Sequence, residues 1–266
     1  MEKILLLRKY RFFIFIAANI LWIWALLSPN IYYFDDDYRA AGGFYNWEGD
    51  FRPFADYLYY ILGLGRNFTD LTPFPQILAL VFLYFSYFIY IRKFKETKID
   101  IGILLVFLPI VWSPFLLANL YFRFDSIFML LAILLAIIAI DFVDNKKYFK
   151  AIILLFLVCG LYQPSIIAYV CTSLFIIYKI DTTKNLKFYL IQSSKYFTIF
   201  LISILIYYFL IMKLSVSYNN YSSSHKILSI FNIKNNIIAA IKEILIIFKG
   251  DSGFYLFIYL FIFTVN

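Results

Sequence analysis

The chain has 266 residues, of which 64% are hydrophobic and 23% aromatic, and its mean hydropathy is +0.82, well above the apolar share of a soluble domain. Its formal charge of +8 does not indicate a nucleic-acid partner, because the basic residues fall in short clusters at the ends of apolar runs, a pattern that reports membrane orientation. Two cysteines, Cys159 and Cys171, both lie inside apolar runs and are too few for a zinc site of their own.

Taken in chain order, apolar runs at about 12–33, 74–91, 101–119, 126–143, 149–161, 164–180 and 195–212, with an eighth beginning near 252, predict an all-α, polytopic transmembrane helical bundle of seven to eight spans. No small-residue cleavage site follows the first run, so it is expected to remain as a helix. The whole chain, 1–266, reads as one transmembrane domain with outer loops at 34–72 and 213–251. It ends in "FYLFIYLFIFTVN", in mid-run and without a basic anchor; the expectation is a C-terminally truncated product, the alternative a natural end after a short last helix.

Lys3, Arg8, Lys9 and Arg11 precede the first run, "RKFKETK" follows the second, Lys146, Lys147 and Lys150 follow the fourth, and Lys179, Lys184, Lys187 and Lys195 lie between the sixth and seventh. If the spans alternate, all four clusters share one side, which the positive-inside rule makes cytoplasmic. The N-terminus is then cytoplasmic and residues 34–72 face outward. The fifth run is short and is joined to the sixth by "GLYQPS", residues 160–165. Gly, Gln and Pro at that depth cannot face lipid, because the backbone needs partners there. A short helical hairpin that stops inside the protein, below an outer cavity, is the predicted result.

The outer loop opens with "FDDDYRAAGG". Three adjacent carboxylates, Asp35, Asp36 and Asp37, repel one another, and Arg39 and Arg52 are the cations placed to offset them. Such a cluster suits a general base for a hydroxyl nucleophile or a ligand set for a hard divalent cation such as Mg or Mn, and it also suits a plain solvated helix end. Further along, "FADYLYYILGLG" is apolar or aromatic apart from Asp56, as in a helix lying in the membrane interface. In "NLYFRFDS", residues 119–126, Arg123 and Asp125 stand in a short loop between two apolar runs. Either they satisfy each other, or Arg123 offers its guanidinium to a phosphate. Gln163 could cap the helix break or bind a sugar hydroxyl, and Trp47 could anchor the loop at the interface or stack on a sugar ring. His225 is the only histidine and lies in the polar "SYNNYSSSHK", where a solvated role is expected.

The segments "DDDYRAAGG", then the tryptophan Trp47 and "FRPFADYLY", then "DLTPFPQILAL", "YFRFDS" and "LYQP", in that order, resemble the Gtr-type glucosyltransferases that decorate bacterial O-antigen, within the GT-C class of polyprenyl-phosphate-sugar-dependent enzymes. The likeness runs from about residue 32 to 165. It implies a GT-C type fold in the bacterial inner membrane and transfer of glucose, or another hexose, from undecaprenyl phosphate glucose to a hydroxyl of lipid-linked O-antigen on the periplasmic side. It further implies Asp35 or Asp36 as catalytic base. Asp37, Arg39, Arg52, Arg123, Asp125 and Gln163 then bind substrate, with Arg123 and either Arg39 or Arg52 neutralising the leaving phosphate. No cofactor is required, a divalent cation is compatible, and the enzyme depends on a donor synthase and a flippase. An O-antigen polymerase and a transporter or flippase of lipid-linked saccharide are the rival classes. The first would place its main arginines in late outer loops, and the second its ionisable residues at mid-bilayer, often in repeated halves.

Overall fold

A computed structural model describes residues 17, 19, 21, 24, 47–65, 70–94, 112, 114–179, 185–213, 238, 241, 242 and 245, and among these residues there are helices and turns but no strand. A 3-10 turn, Glu48–Asp50, leads into α1, Pro53–Leu62. Then come α2, Phe74–Phe94, and the short α3, Pro114–Tyr121. The central helix is α4, Ser126–Asp144. It is followed by α5, Tyr148–Tyr162, a 3-10 turn at Gln163–Ser165, and α6, Ile166–Lys179. Last is α7, Leu186–Tyr207, which runs on into a π turn, Tyr208–Met212.

By length and composition four helical stretches suffice to cross a membrane, Phe74–Lys93, Ser126–Asp144, Tyr148–Tyr178 and Leu186–Met212, the third being the two shorter helices α5 and α6 joined at a 3-10 turn. The predicted first, third and eighth runs lie wholly or largely outside the described residues. The predicted run at 195–212 is the end of a longer helix: α7 starts at Leu186, where the Asn185 side chain accepts the backbone N–H of Phe188 at 3.0 Å and satisfies a donor of the first turn. Lys187 and Lys195 therefore belong to a helix rather than to a connecting loop.

Nearly all of α4 is apolar, and its residues are buried around most of the helix. α2, α5, α6 and α7 all pack on it. Between helices in lipid there is little hydrophobic drive, so close backbone approach and van der Waals contact hold them together. Ala132, Ala136 and Ala139 of α4 and Ala151 of α5 are fully buried and permit that approach.

Long-range contacts order the two ends of the bundle. Lys93, in the last turn of α2, bridges Asp141 and Asp144 at the end of α4, at 2.5 and 3.1 Å, so α2 and α4 run parallel. Tyr90 of α2 meets Phe175 of α6, with ring centroids 6.3 Å apart, and the Tyr196 hydroxyl donates to Asp144. At the other end, the Ser165 hydroxyl donates to the Met129 carbonyl at 3.1 Å. α5 thus climbs from the Asp144 end, the chain reverses at Gln163–Ser165, and α6 returns. Gly160 and Pro164 bracket the reversal, and Tyr162 is extended there (φ −160°, ψ 100°). Proline supplies no amide donor to continue a helix.

The expected outer cavity above this break is instead filled by residues 47–62. Phe54 lies so close to Gly160 that a Cβ there would come within 2.2 Å of its ring. The fill has a physical cause: the Gln163 amide finds its acceptors on the backbone carbonyls of the loop.

Candidate active site

The reversal, the start of α4 and the loop segment 47–56 meet at one end of the bundle. Asp125, immediately before α4, is 6% exposed. Its carboxylate accepts both Nη groups of Arg52, from Nη1 to Oδ2 at 3.0 Å and from Nη2 to Oδ1 at 3.3 Å, and also the indole Nε1–H of Trp47. Arg52, itself 6% exposed, donates from Nε to the Leu161 carbonyl at 2.6 Å and lies over the Tyr162 ring, 5.1 Å from its centroid. A carboxylate and a guanidinium taken out of water are costly unless their lone pairs and N–H groups are met. Here the planar fork fits the carboxylate two-to-two, and the remaining donor finds the carbonyl that the broken helix frees.

Trp47 is fully buried. Its ring packs edge-on against Phe128 and tilted against Tyr59, with centroids 5.1 and 5.5 Å away. It is neither an interface anchor nor a platform for a sugar. Gln163 donates from Nε2 to the carbonyls of Asp50 and Phe51, at 2.9 and 3.3 Å, and stands 2.9 Å from the Tyr207 hydroxyl. That hydroxyl donates to the same Phe51 carbonyl at 2.5 Å. Phe51 has a left-handed backbone, φ 59°, uncommon for a residue with a Cβ, and its carbonyl is turned toward these donors. Asp56, in the first turn of α1, accepts the backbone N–H of Trp47 at 3.1 Å and that of Glu48.

Arg123 forms a second node. Its Nη2 pairs with Asp70 Oδ2 at 2.6 Å and its Nε donates to the Thr72 hydroxyl. The Arg123 side chain is 5% exposed, whereas Asp70 is 42% exposed. At the first residue of α4 and in the first turn of α2, the Ser126 Oγ and the Gln76 Oε1 are buried with no hydrogen-bond partner among the described residues. α1 presents Tyr57, Tyr60 and Ile61 outward, with the exposed Leu64 after it.

The structure therefore brings Arg52, Asp125 and Gln163 into one polar cluster, with Arg123 two residues from Asp125. Among the described residues Arg52 pairs with Asp125 and Arg123 with Asp70, so the sequence neighbours Arg123 and Asp125 turn to different partners. Asp35, Asp36, Asp37 and Arg39 lie outside the described residues, as does His225, and with the acidic run goes the position where a divalent cation would be held. Among the described residues no three His, Cys, Asp or Glu side chains group as a metal site. Sequence reading passed over Asp70, Thr72 and Tyr207. "DLTP" ahead of an apolar run was a usable signal for the first two, since the Asp70 carboxylate also accepts the Thr72 N–H at 2.9 Å, a local turn pattern. Nothing local marks Tyr207 among 24 tyrosines.

An all-helical bundle with several membrane-length helices and a buried charged cluster at one end defines a polytopic membrane protein. The chain belongs to the GtrII glucosyl transferase family, whose model matches residues 24–265. It is also 31% identical, over 127 residues, to an uncharacterised 55.3 kDa protein encoded in the gtrB 5′ region of Salmonella phage P22. The match covers 47% of this chain and 26% of that protein, so the matched region is about a quarter of the relative's length. No solved structure gives a significant match.

Proposed function

We propose that this chain is the membrane-embedded transfer region of a glucosyltransferase that moves glucose from undecaprenyl phosphate glucose to a hydroxyl of a lipid-linked O-antigen repeat, on the periplasmic side of the bacterial inner membrane. The observation that carries the reading is the family match: it runs from residue 24 to 265, and so includes the acidic run, the buried arginines and the helix break together. The Lys93, Lys147 and Lys150 end of the bundle is cytoplasmic in this reading, and the Arg52–Asp125 end periplasmic.

Asp35 or Asp36 takes the proton of the acceptor hydroxyl, whose oxygen attacks the anomeric carbon as the bond from that carbon to the phosphate oxygen breaks. One displacement inverts the centre, so a β-linked donor gives an α-linked glucose. Arg123, with Arg39, meets the charge that develops on the departing lipid phosphate. A Mg or Mn ion on the carboxylates would supply the same neutralisation. A synthase that makes the donor and a flippase that presents it complete the pathway.

The test is the repeat-unit mass of the host O-polysaccharide with the gene present, deleted, and carrying Asp35→Asn with Asp36→Asn. Loss of one hexose per repeat in both altered strains supports the reading. An unchanged mass in the deletion strain removes it, and a shortened polysaccharide ladder in that strain favours a polymerase.

A further inference from the structure

We infer that Asp70 is an exchangeable counter-ion: it neutralises Arg123 until a lipid-linked phosphate takes its place on the guanidinium, so the carboxylate competes with the substrate. The inference rests on the transferase reading for the identity of the phosphate, and on the contrast between two ion pairs for the exchange itself. In the Arg52–Asp125 pair both side chains are buried, 7% and 9% exposed. The Arg52 Nε is engaged by the Leu161 carbonyl and Asp125 also accepts from Trp47. Neither ion can leave without stranding the other away from water, which is strongly unfavourable. The Arg123–Asp70 pair is open on one side: the Arg123 side chain is 5% exposed and that of Asp70 is 42% exposed. The carboxylate can return to water at little cost, whereas the buried guanidinium it leaves needs another anion.

The surroundings let this exchange occur without rearranging the fold. Arg123 keeps two holds when the Asp70 Oδ2 departs: its Nε on the Thr72 hydroxyl, and the Phe124 ring, whose centroid is 6.0 Å from the guanidinium carbon. Asp70 keeps its other oxygen on the Thr72 N–H, with Oδ1 accepting at 2.9 Å. A turn of the carboxylate therefore frees the Arg123 Nη2 while the local backbone turn stays. Leu71, between the two, packs on the main core, and its carbonyl accepts the Phe74 N–H at 2.9 Å, which fixes this stretch at the start of α2. A phosphate matches the guanidinium donors as a carboxylate does, and it approaches from the side on which Asp70 is exposed. After transfer the tethered carboxylate, at high effective concentration, re-forms the pair and helps the lipid phosphate leave.

The experiment measures equilibrium binding of polyprenyl phosphate to the purified full chain in detergent, with polyprenol as the uncharged reference, beside glucose transfer from polyprenyl phosphate glucose. Asp70→Asn removes the charge and keeps an acceptor for the Thr72 N–H; Asp70→Ser does the same should the first variant fail to fold. Loss of the competitor should lower Kd for polyprenyl phosphate about threefold or more and leave polyprenol binding unchanged. In an Arg123→Gln background the same substitution should have no effect on Kd. A merely structural Asp70 gives the opposite sign, a raised Kd. Glu48→Gln, which removes an exposed charge from the segment beside Arg52, should not tighten binding; equal tightening there would make the effect one of overall charge and overturn the exchange. Unchanged or weakened binding in the folded Asp70 variants would overturn it as well. If the wild type transfers no glucose while Asp70→Asn still tightens polyprenyl phosphate, the transferase reading falls and the exchange stands.

Discussion

Gly160 is where a single atom decides whether the loop can dock. A Cβ at this position would lie 2.2 and 2.5 Å from Phe54 ring atoms, and that ring is held in turn by Phe156, with centroids 5.4 Å apart. Gly160→Ala should therefore destabilise the protein by about 1–3 kcal/mol, read as a lower thermal midpoint in detergent. Phe54→Ala in the same chain should recover part of the loss, which a general helix effect of alanine would not allow. Arg123 makes a different demand, because it spends two directions of its guanidinium, one on Asp70 and one on Thr72. A lysine ammonium cannot match that fork. Arg123→Lys is expected to lower kcat/KM for the lipid donor about tenfold, the worth of a charged hydrogen bond, and a variant with unchanged kcat/KM would remove Arg123 from the phosphate-binding role.

At the scale of elements, helix ends set the course of the chain. α4 closes with Lys146 N–H to the Val143 carbonyl at 3.1 Å and Lys147 N–H to the Phe142 carbonyl at 2.7 Å, the paired bonds of a Schellman end. The residue forced left-handed by that end is Lys146, φ 58°, where glycine would be relaxed. Lys146→Gly should stabilise the protein by about 1 kcal/mol, seen as a raised thermal midpoint. The reverse sign belongs to Asn185→Ala, which removes the cap of α7 and should cost about 1 kcal/mol. The helix break at 160–165 was legible in "GLYQPS" because Gly, Gln and Pro each act locally. What fills the space above it was not, since Phe54 and the Phe51 carbonyl arrive from more than a hundred residues away.

Across the whole molecule, charge separates by kind. Lys146, Lys147 and Lys150 are exposed at the end marked by Lys93 and Asp144, while at the other end Arg52 and Arg123 are buried in ion pairs. With Cys159 and Cys171 replaced by alanine, a cysteine at Lys147 should be closed to an impermeant maleimide applied to whole spheroplasts, and one at Leu64, which is 94% exposed, should be open to it. The opposite labelling would invert the topology and put the Arg52–Asp125 end in the cytoplasm.

The sequence by itself determined that the protein lies in a membrane, where several of its helices run, which ends carry lysine, where one hairpin reverses, and which family's motifs it bears. These are properties of composition, of local backbone chemistry and of short segments in order, and each can be read within a window of a few turns. Only the tertiary structure decided that Arg52 belongs to Asp125, 73 residues on, that Tyr207 reaches Phe51 across 156 residues, and that Trp47 is core. Pairings at that distance follow from which helix faces pack on α4 and how closely small residues let them approach. A buried charge takes the partner that packing brings within reach, and neighbours in sequence, such as Arg123 and Asp125, can be turned to different ones.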